Sequence, residues 1–296
     1  MVDQLIRAIA AEGGIRIVGV ITTDLTQEAK VRHNLSPLAT AALGRAISSG
    51  LLLVSSMKKE GSRVNLRIKG NGPLGGLLVD AGLDGTVRGY VDNPSVELPL
   101  NDKGILDVGA AIGKDGYVYV VRDIGYGYPY SSTVKLISGE IGEDIAHYLV
   151  NSEQTPSAHI VGVLMDSDSQ KVTASGGLLL QILPKAARDD ALIDLLESRI
   201  SNLVSFTSLL QAGKKLPEIF EALLGDLGLN IFPEIQMLKF NCNCSSERLL
   251  GALNLLGEAE IKDMIEKDEG AEGTCHFCNE VYQASKDDLL KILQNF

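Results

Sequence analysis

The sequence has no tryptophan, few aromatic residues and only four cysteines, and the first 241 residues contain no cysteine at all. It also lacks a long apolar run without charge, because the most apolar stretch, LATAALGRAISSGLLLVSS, is interrupted by Arg45. The opening MVDQLIRAIAAEGG carries Asp3 and resembles no secretory signal. We therefore expect a cytoplasmic protein with no membrane partner. In that compartment a cysteine cluster is more often a metal or redox site than a structural disulfide.

Positive charge is scarce as well. The chain has 27 Lys and Arg against 38 Asp and Glu, a formal net charge of −11. Residues 241–296 hold eleven acidic and five basic residues, so more than half of this excess lies beside the cysteines. Binding of nucleic acid needs clustered basic residues on one surface. The charge balance predicts no nucleic-acid partner.

The fold class predicted from the pattern is α+β, with a mixed α/β core domain over residues 1–184. In RVNLRIK, residues 63–69, apolar and polar side chains alternate strictly, as in a half-buried strand. A helix is predicted to begin at Ser36-Pro37, where a capping residue precedes a proline. A second helix fits GEDIAHYLVNSE. Further short strands are predicted at IRIVGVIT, LLVDA, TVRGYV, YVYVVRD, TVKLIS and HIVGVLM.

The pattern changes after Pro184. Residues 185–233 are predicted to form an amphipathic helical linker that lies on another surface, because they have helical periodicity and no strands of their own. One apolar stripe is predicted to contain Leu192, Leu195, Leu196, Ile200, Leu203 and Val204. Residues 234–296, acidic and cysteine-bearing, are predicted to form a small C-terminal unit.

The strongest motif is C-x-C at Cys242 and Cys244, followed thirty residues later by C-x-x-C at Cys275 and Cys278. Four thiolates in a tetrahedral array suit zinc, with Zn–S distances of ~2.3 Å. We expect these four residues to bind one Zn²⁺ per chain, and His276 to stay outside a ligand set that is already complete. Such a site is either structural or a redox switch, because zinc-bound sulfurs are held as thiolates, which oxidants attack.

Weaker motifs predict no catalytic residue. GNGPLG, residues 70–75, matches a nucleotide-binding pattern, but the following GLLVDA resembles a strand, so a β-turn is the better interpretation. Ser55 and Lys58 form S-x-x-K without companion motifs and fit a helix end. An acidic group at a predicted helix start fits helix-dipole stabilisation better than catalysis; it consists of Glu140, Glu143 and Asp144. His33, His147 and His159 have no spacing that ties them to a nucleophile.

The order FNCNCSSERLL and EIKDMIEKDEGAEGTCHFCNE resembles the redox-regulated thirty-three-kilodalton heat-shock chaperonin family of bacteria and organelles. The similarity extends to RHNLSPLATAALGRAISSGLLL, IKGNGPLGGLLVDAGLDGTVRGYVDNP and SGEIGEDIAHYLVNSEQTPSA. It implies an α/β core domain, a helical linker on it and a C-terminal zinc-binding redox-switch module, and no enzymatic activity.

The resemblance also implies a mechanism. The reduced, zinc-bound form would be inactive, and oxidation would form the disulfides Cys242–Cys244 and Cys275–Cys278. Zinc would be released, the module and the linker would unfold, and the exposed apolar surface would bind unfolding client proteins without ATP. The active form would be a homodimer.

Two other functions compete with this interpretation. A zinc-ribbon module that binds nucleic acid or protein would use the same four cysteines, and a salt-sensitive gel shift would reveal it. A thiol–disulfide oxidoreductase would use the pair Cys275 and Cys278, and sustained turnover with glutathione would reveal that activity.

Overall fold

The structure is a computed structural model that describes residues 2–267, 269–294 and 296. It divides the chain into two compact units, the first ending at Phe240 and the second spanning Asn241–Phe296. The strands of the first unit are β1 (Gln4–Ala10), β2 (Ile15–Ile21), β3 (Arg63–Lys69), β4 (Gly76–Gly82), β5 (Thr86–Val91), β6 (Tyr117–Asp123), β7 (Tyr130–Lys135), β8 (Ser157–Met165), β9 (Val172–Ile182), β10 (Asn230–Ile231), β11 (Gln236–Met237) and β12 (Lys239–Phe240). Its α-helices are α1 (Thr23–His33), α2 (Pro37–Val54), α3 (Val108–Ile112), α4 (Ile141–Glu153), α5 (Asp190–Ser201), α6 (Phe206–Gln211) and α7 (Leu216–Leu224).

These strands form two sheets. In the first sheet the order is β10-β1-β2-β9-β8, and β11 also pairs with β1. In the second sheet the order is β12-β5-β4-β3-β6-β7. Most neighbours are antiparallel, whereas β12 pairs with β5 in parallel. The fold is therefore the mixed arrangement of sheets and helices that the strand and helix patterns predicted.

Helix α2 forms the centre of the first unit's core. It begins as predicted, because the Ser36 hydroxyl accepts a hydrogen bond from the Ala39 N–H at 3.1 Å and Pro37 occupies the first turn. Sixteen of its 18 residues are buried. By length and composition alone this helix could cross a membrane, despite Arg45. Its burial against the strands is what the core helix of a globular unit shows.

The first sheet is buried on both faces. On β2, Val18 and Val20 join the core around α2, whereas Ile15 and Ile17 pack on the opposite side. Side chains from α5, α6 and α7 cover that opposite side. They are Leu196, Phe206, Leu210, Leu216, Ile219, Phe220, Leu223 and Leu224. We call these three helices the covering helices and the strand surface beneath them the covered face.

The covering helices lie within the predicted helical segment, but β10 at Asn230–Ile231 is a strand that the prediction lacked, because its pairing with β1 leaves no local signal. The predicted apolar stripe was also partly wrong. Leu196 is buried, whereas Leu195 is 37% exposed and Val204 is 62% exposed. Val204 lies between α5 and α6, where the chain is not helical. The periodicity of a continuous helix therefore did not continue across that break.

Residues 234–240 contribute to the sheets of the first unit. β11 pairs with β1 through Gln4 and Met237, and β12 pairs with β5 through Thr86 and Lys239. The division of the chain into functional segments 1–184, 185–233 and 234–296 stays a prediction.

The second unit has a thin core. Its elements are α8 (Ser246–Leu253), α9 (Glu258–Lys267), the antiparallel hairpin of β13 (Gly270–Thr274) and β14 (Val281–Ser285), and α10 (Lys286–Leu293). Its buried hydrophobic cluster consists of Leu253, Ile261, Ala284, Leu289 and Ile292. Small units of this kind usually need a disulfide or a metal in addition to their core.

Candidate metal centre

The first cysteine pair lies in the loop that precedes α8. The Ser245 hydroxyl caps this helix by accepting a hydrogen bond from the Arg248 N–H at 3.3 Å. The Arg248 guanidinium then donates to the carbonyl oxygen of Asn243 at 2.9 Å. Because Asn243 separates Cys242 from Cys244, this hydrogen bond holds the segment between the two sulfurs.

The second pair lies in the turn of the β13–β14 hairpin. The Cys275 N–H donates to the Glu280 carbonyl at 2.9 Å, and the Asn279 N–H donates to the Cys275 carbonyl at 2.8 Å. Asn279 has a φ of 60°, a left-handed conformation that asparagine tolerates better than most residues. The tight turn brings both thiols to the same side, with Cys278 only 3% exposed.

The four sulfurs converge within the second unit. All four lie within 4.8 Å of one another. The Cys242 and Cys275 sulfurs are 3.7 Å apart, and the Cys244 and Cys278 sulfurs are 3.2 Å apart. In a tetrahedral site with Zn–S bonds of ~2.3 Å, neighbouring sulfurs lie ~3.8 Å apart. The cluster is therefore a possible metal site whose dimensions and donor atoms are compatible with zinc.

The electrostatics of the cluster favour a cation. Burial raises the pKa of Cys275 and of Cys278 above the ordinary thiol value, and neighbouring sulfurs raise that of Cys278 further. Crowded, buried thiols resist ionisation since each thiolate repels the next. A divalent cation between them would reverse this preference and stabilise the thiolates.

Sequence reasoning missed one residue of this centre. Tyr282, on β14, has its hydroxyl oxygen 3.1 Å from the sulfur of Cys244. This contact raises the pKa of Tyr282, because the phenol is a hydrogen-bond partner of the sulfur. Four residues beyond Cys278, the tyrosine belongs to no recognised metal motif, so only the folded hairpin reveals the contact.

The other motifs are accounted for by the fold. GNGPLG forms the turn between β3 and β4, as predicted, and no helix of the described chain follows it directly. A side chain at Gly70 or Gly72 would collide with the backbone of α3, which explains the glycines. The hydroxyls of Ser55 and Ser56 donate to carbonyls of the last turn of α2.

The acidic group at the start of α4 also has structural roles. Glu140 forms an ion pair with Arg45. The buried Asp144 accepts hydrogen bonds from the N–H groups of Ile137 and Ser138, at 2.8 and 3.2 Å. His33, His147 and His159 lie on α1, α4 and β8 respectively.

The chain is similar to known proteins over its whole length. Residues 3–285 match the family model described as "Hsp33 protein". The chain is 71% identical over 295 residues to the 33 kDa chaperonin of Gloeothece citriformis (strain PCC 7424), covering 100% of this chain and 98% of the relative. It is 70% identical to the 33 kDa chaperonin of Rippkaea orientalis, covering 100% and 97%. The fold matches the crystal structure of the 33 kDa chaperonin, a heat shock protein 33 homolog, from Thermotoga maritima with a TM-score of 0.91. That match has 37% identity and covers 100% of this chain and 99% of the solved one.

Proposed function

The chain belongs to the Hsp33 family of chaperones, and we propose that it is a redox-regulated holdase that acts without ATP. The observation that carries the proposal is the convergence of four cysteine sulfurs within 4.8 Å in a unit with a thin core. Such a unit depends on its thiol chemistry for stability. Oxidation can therefore change its fold.

In the reduced protein, Cys242, Cys244, Cys275 and Cys278 would hold one Zn²⁺ as thiolates. When bound, the ion would link the two cysteine loops of this small unit. Structural zinc sites contribute about 10–16 kcal/mol to the folding of zinc-finger peptides. In this state the protein would be inactive as a chaperone.

Oxidation would join the sulfurs as Cys242–Cys244 and Cys275–Cys278. For each pair, hydrogen peroxide and two protons accept the two electrons of a pair of thiolates, and the products are one disulfide and two water molecules. Disulfide sulfurs no longer coordinate a metal. The second unit would therefore lose the ion that links its two cysteine loops, and it would unfold.

Two surfaces would be exposed next. They are the covered face of the sheet and the apolar face of helices α5–α7 that packs against it. In the structure, that interface contains Ile6, Ile17 and Leu178 from the sheet, against Leu216 and Phe220 from the helices. Separation of the helices would expose apolar side chains on both partners. Contiguous apolar surface of this kind binds other proteins.

The partners we propose are unfolded or unfolding client proteins, and a second copy of the chain in the oxidised, active state. We propose a cytoplasmic location and no nucleic-acid or membrane partner, in keeping with the acidic composition. The excess of negative charge would help to keep the opened form from aggregating.

The test is light scattering from a thermally unfolding client protein. The client is mixed either with reduced, zinc-loaded protein or with the same protein after peroxide treatment at raised temperature. A colorimetric chelator reports zinc release in the same samples. We expect suppression of aggregation only after oxidation, together with release of about one zinc per chain.

Other results would point elsewhere. Equal suppression before and after oxidation would indicate a chaperone with a purely structural zinc site. Turnover with glutathione would indicate an oxidoreductase. Absence of suppression in both states, with zinc retained, would remove the chaperone function and favour the zinc-ribbon interpretation.

A further inference from the structure

The two cysteine pairs are connected by a tyrosine that belongs to neither. Tyr282 lies on β14, directly opposite Gly273 of β13, and its backbone is therefore part of the hairpin that carries Cys275 and Cys278. Its hydroxyl lies 3.1 Å from the sulfur of Cys244, which is in the other loop. The side chain thus bridges from one pair to a sulfur of the other.

The direction of this hydrogen bond follows from the chemistry of the groups. A phenol can donate or accept, whereas a thiolate can only accept. When Cys244 is ionised, the Tyr282 hydroxyl must therefore be the donor. The bond is then charge-assisted, which makes it stronger than a bond between neutral groups.

We propose that Tyr282 is a positioning residue that restrains the Cys244 thiolate and slows its oxidation; this inference rests on the proposed function. A hydrogen bond to a thiolate withdraws electron density from the sulfur and lowers its reactivity toward peroxide. It also fixes the orientation of the sulfur and spreads part of the negative charge that four thiolates bring together. Outer-shell partners of metal ligands act in this way, and their loss lowers metal affinity by about 10–100-fold.

The decisive variant is Tyr282→Phe, which keeps the ring and removes only the hydroxyl. We expect it to bind zinc about tenfold more weakly in competition with a chromophoric chelator. We also expect it to release zinc several-fold faster at a fixed peroxide concentration. The matched control is Tyr128→Phe, because Tyr128 is fully exposed and lies in the first unit.

Two further readouts separate a hydrogen bond from a packing effect. In cobalt-loaded protein, loss of the donor should shift the thiolate-to-cobalt charge-transfer band to lower energy, because the sulfur becomes easier to oxidise. Replacing Tyr282 by 3-fluorotyrosine makes the phenol a stronger donor, so zinc release should become slower than in the wild type. A ring that only fills space would give neither effect.

The proposal is overturned if Tyr282→Phe equals the wild type in chelator competition, cobalt spectrum and rate of zinc release. It is also overturned if 3-fluorotyrosine and phenylalanine change the rate in the same direction. Failure of the proposed function is distinguishable, since wild-type protein would then bind no zinc, or would lose it to peroxide without gaining the ability to suppress aggregation.

Discussion

Gly19 and Phe220 approach so closely that a Cβ atom built on the glycine would lie 2.9 Å from Cε1 of the phenylalanine ring. The same atom would lie 2.8 Å from Cδ2 of Leu216. Gly19 is in the middle of β2, and both partners are fully buried on α7. The covering helices therefore rest on the sheet at a point where the strand has no side chain.

This contact makes Gly19→Val a direct test of whether the helices block the covered face. The added side chain overpacks the interface, which costs about 1–3 kcal/mol and here would weaken helix docking. We expect the reduced, zinc-loaded variant to suppress client aggregation without oxidant, measured by light scattering.

The control is Gly251→Ala, because a Cβ on Gly251 meets no atom within 4 Å. Gly19→Ala should give a smaller effect than Gly19→Val. If the reduced valine variant is as inactive as wild type, and limited proteolysis between residues 190 and 224 is unchanged, the covering helices do not mask the client surface.

Removal of one sulfur should unfold the second unit selectively. Cys278→Ser replaces the most buried of the four thiols by a poor zinc ligand, and the small hydrophobic cluster cannot compensate. We expect zinc affinity to fall by several orders of magnitude and amide protection to be lost in residues 241–296. Hydrogen exchange read by mass spectrometry, with zinc titration in parallel, measures both.

His276→Ala is the matched control for the cysteine variant, because it alters the same turn without removing a sulfur. It should retain one zinc per chain. Wild-type zinc affinity in Cys278→Ser would exclude Cys278 from the ligand set, and loss of zinc in His276→Ala would include the histidine.

Disulfide mapping tests the pairing. In the folded unit the short sulfur–sulfur distances lie across the two loops, between Cys242 and Cys275 and between Cys244 and Cys278. Sulfurs two or three residues apart in the chain keep a high effective concentration while the unit loses its metal and unfolds, whereas the cross-loop distances persist only in the folded unit. We expect peptide mass spectrometry after full oxidation to find Cys242–Cys244 and Cys275–Cys278, whereas cross-loop pairs would contradict the proposed pairing.

His159 should make the first unit sensitive to acid. The side chain is 7% exposed, and burial lowers its pKa from 6.5 to about 4. The unfolded chain then binds a proton at a higher pH than the folded chain does, so stability is lost as the pH falls from 6.5 to 4. Over this range the free energy of unfolding falls by about 3 kcal/mol. Denaturation followed by circular dichroism should show this slope reduced in His159→Gln.

Asp3 should affect the pH dependence of stability in the direction opposite to His159. It accepts hydrogen bonds from the N–H groups of Asp24 and Leu25 at the start of α1, yet burial raises its pKa from 3.8 to about 6. Folding thus favours the protonated carboxyl, and this contribution to stability is lost as the pH rises from about 4 to 6. Asp3→Asn should remove that loss. An identical pH dependence in wild type and both variants would contradict both assignments.

The sequence alone determined the local structure and the type of chemistry. Ser36 and Pro37 define the start of α2 because capping depends on neighbouring residues only. The alternation in RVNLRIK defines β3 for the same reason. Missed elements, such as α1, β1 and β9, have weak local signals and depend on the packing around them. The four cysteines could be recognised as one group because thiol chemistry and short spacing are properties of the chain itself.

Only the tertiary structure decided which residues meet. No pattern in the sequence places Gly19 beneath Phe220 or the hydroxyl of Tyr282 beside the sulfur of Cys244. Nor does any pattern show that residues 236–240 pair with β1 and β5. These contacts are made between segments that lie far apart in the sequence. They are set by how sheets, helices and loops pack together, which local preferences do not specify.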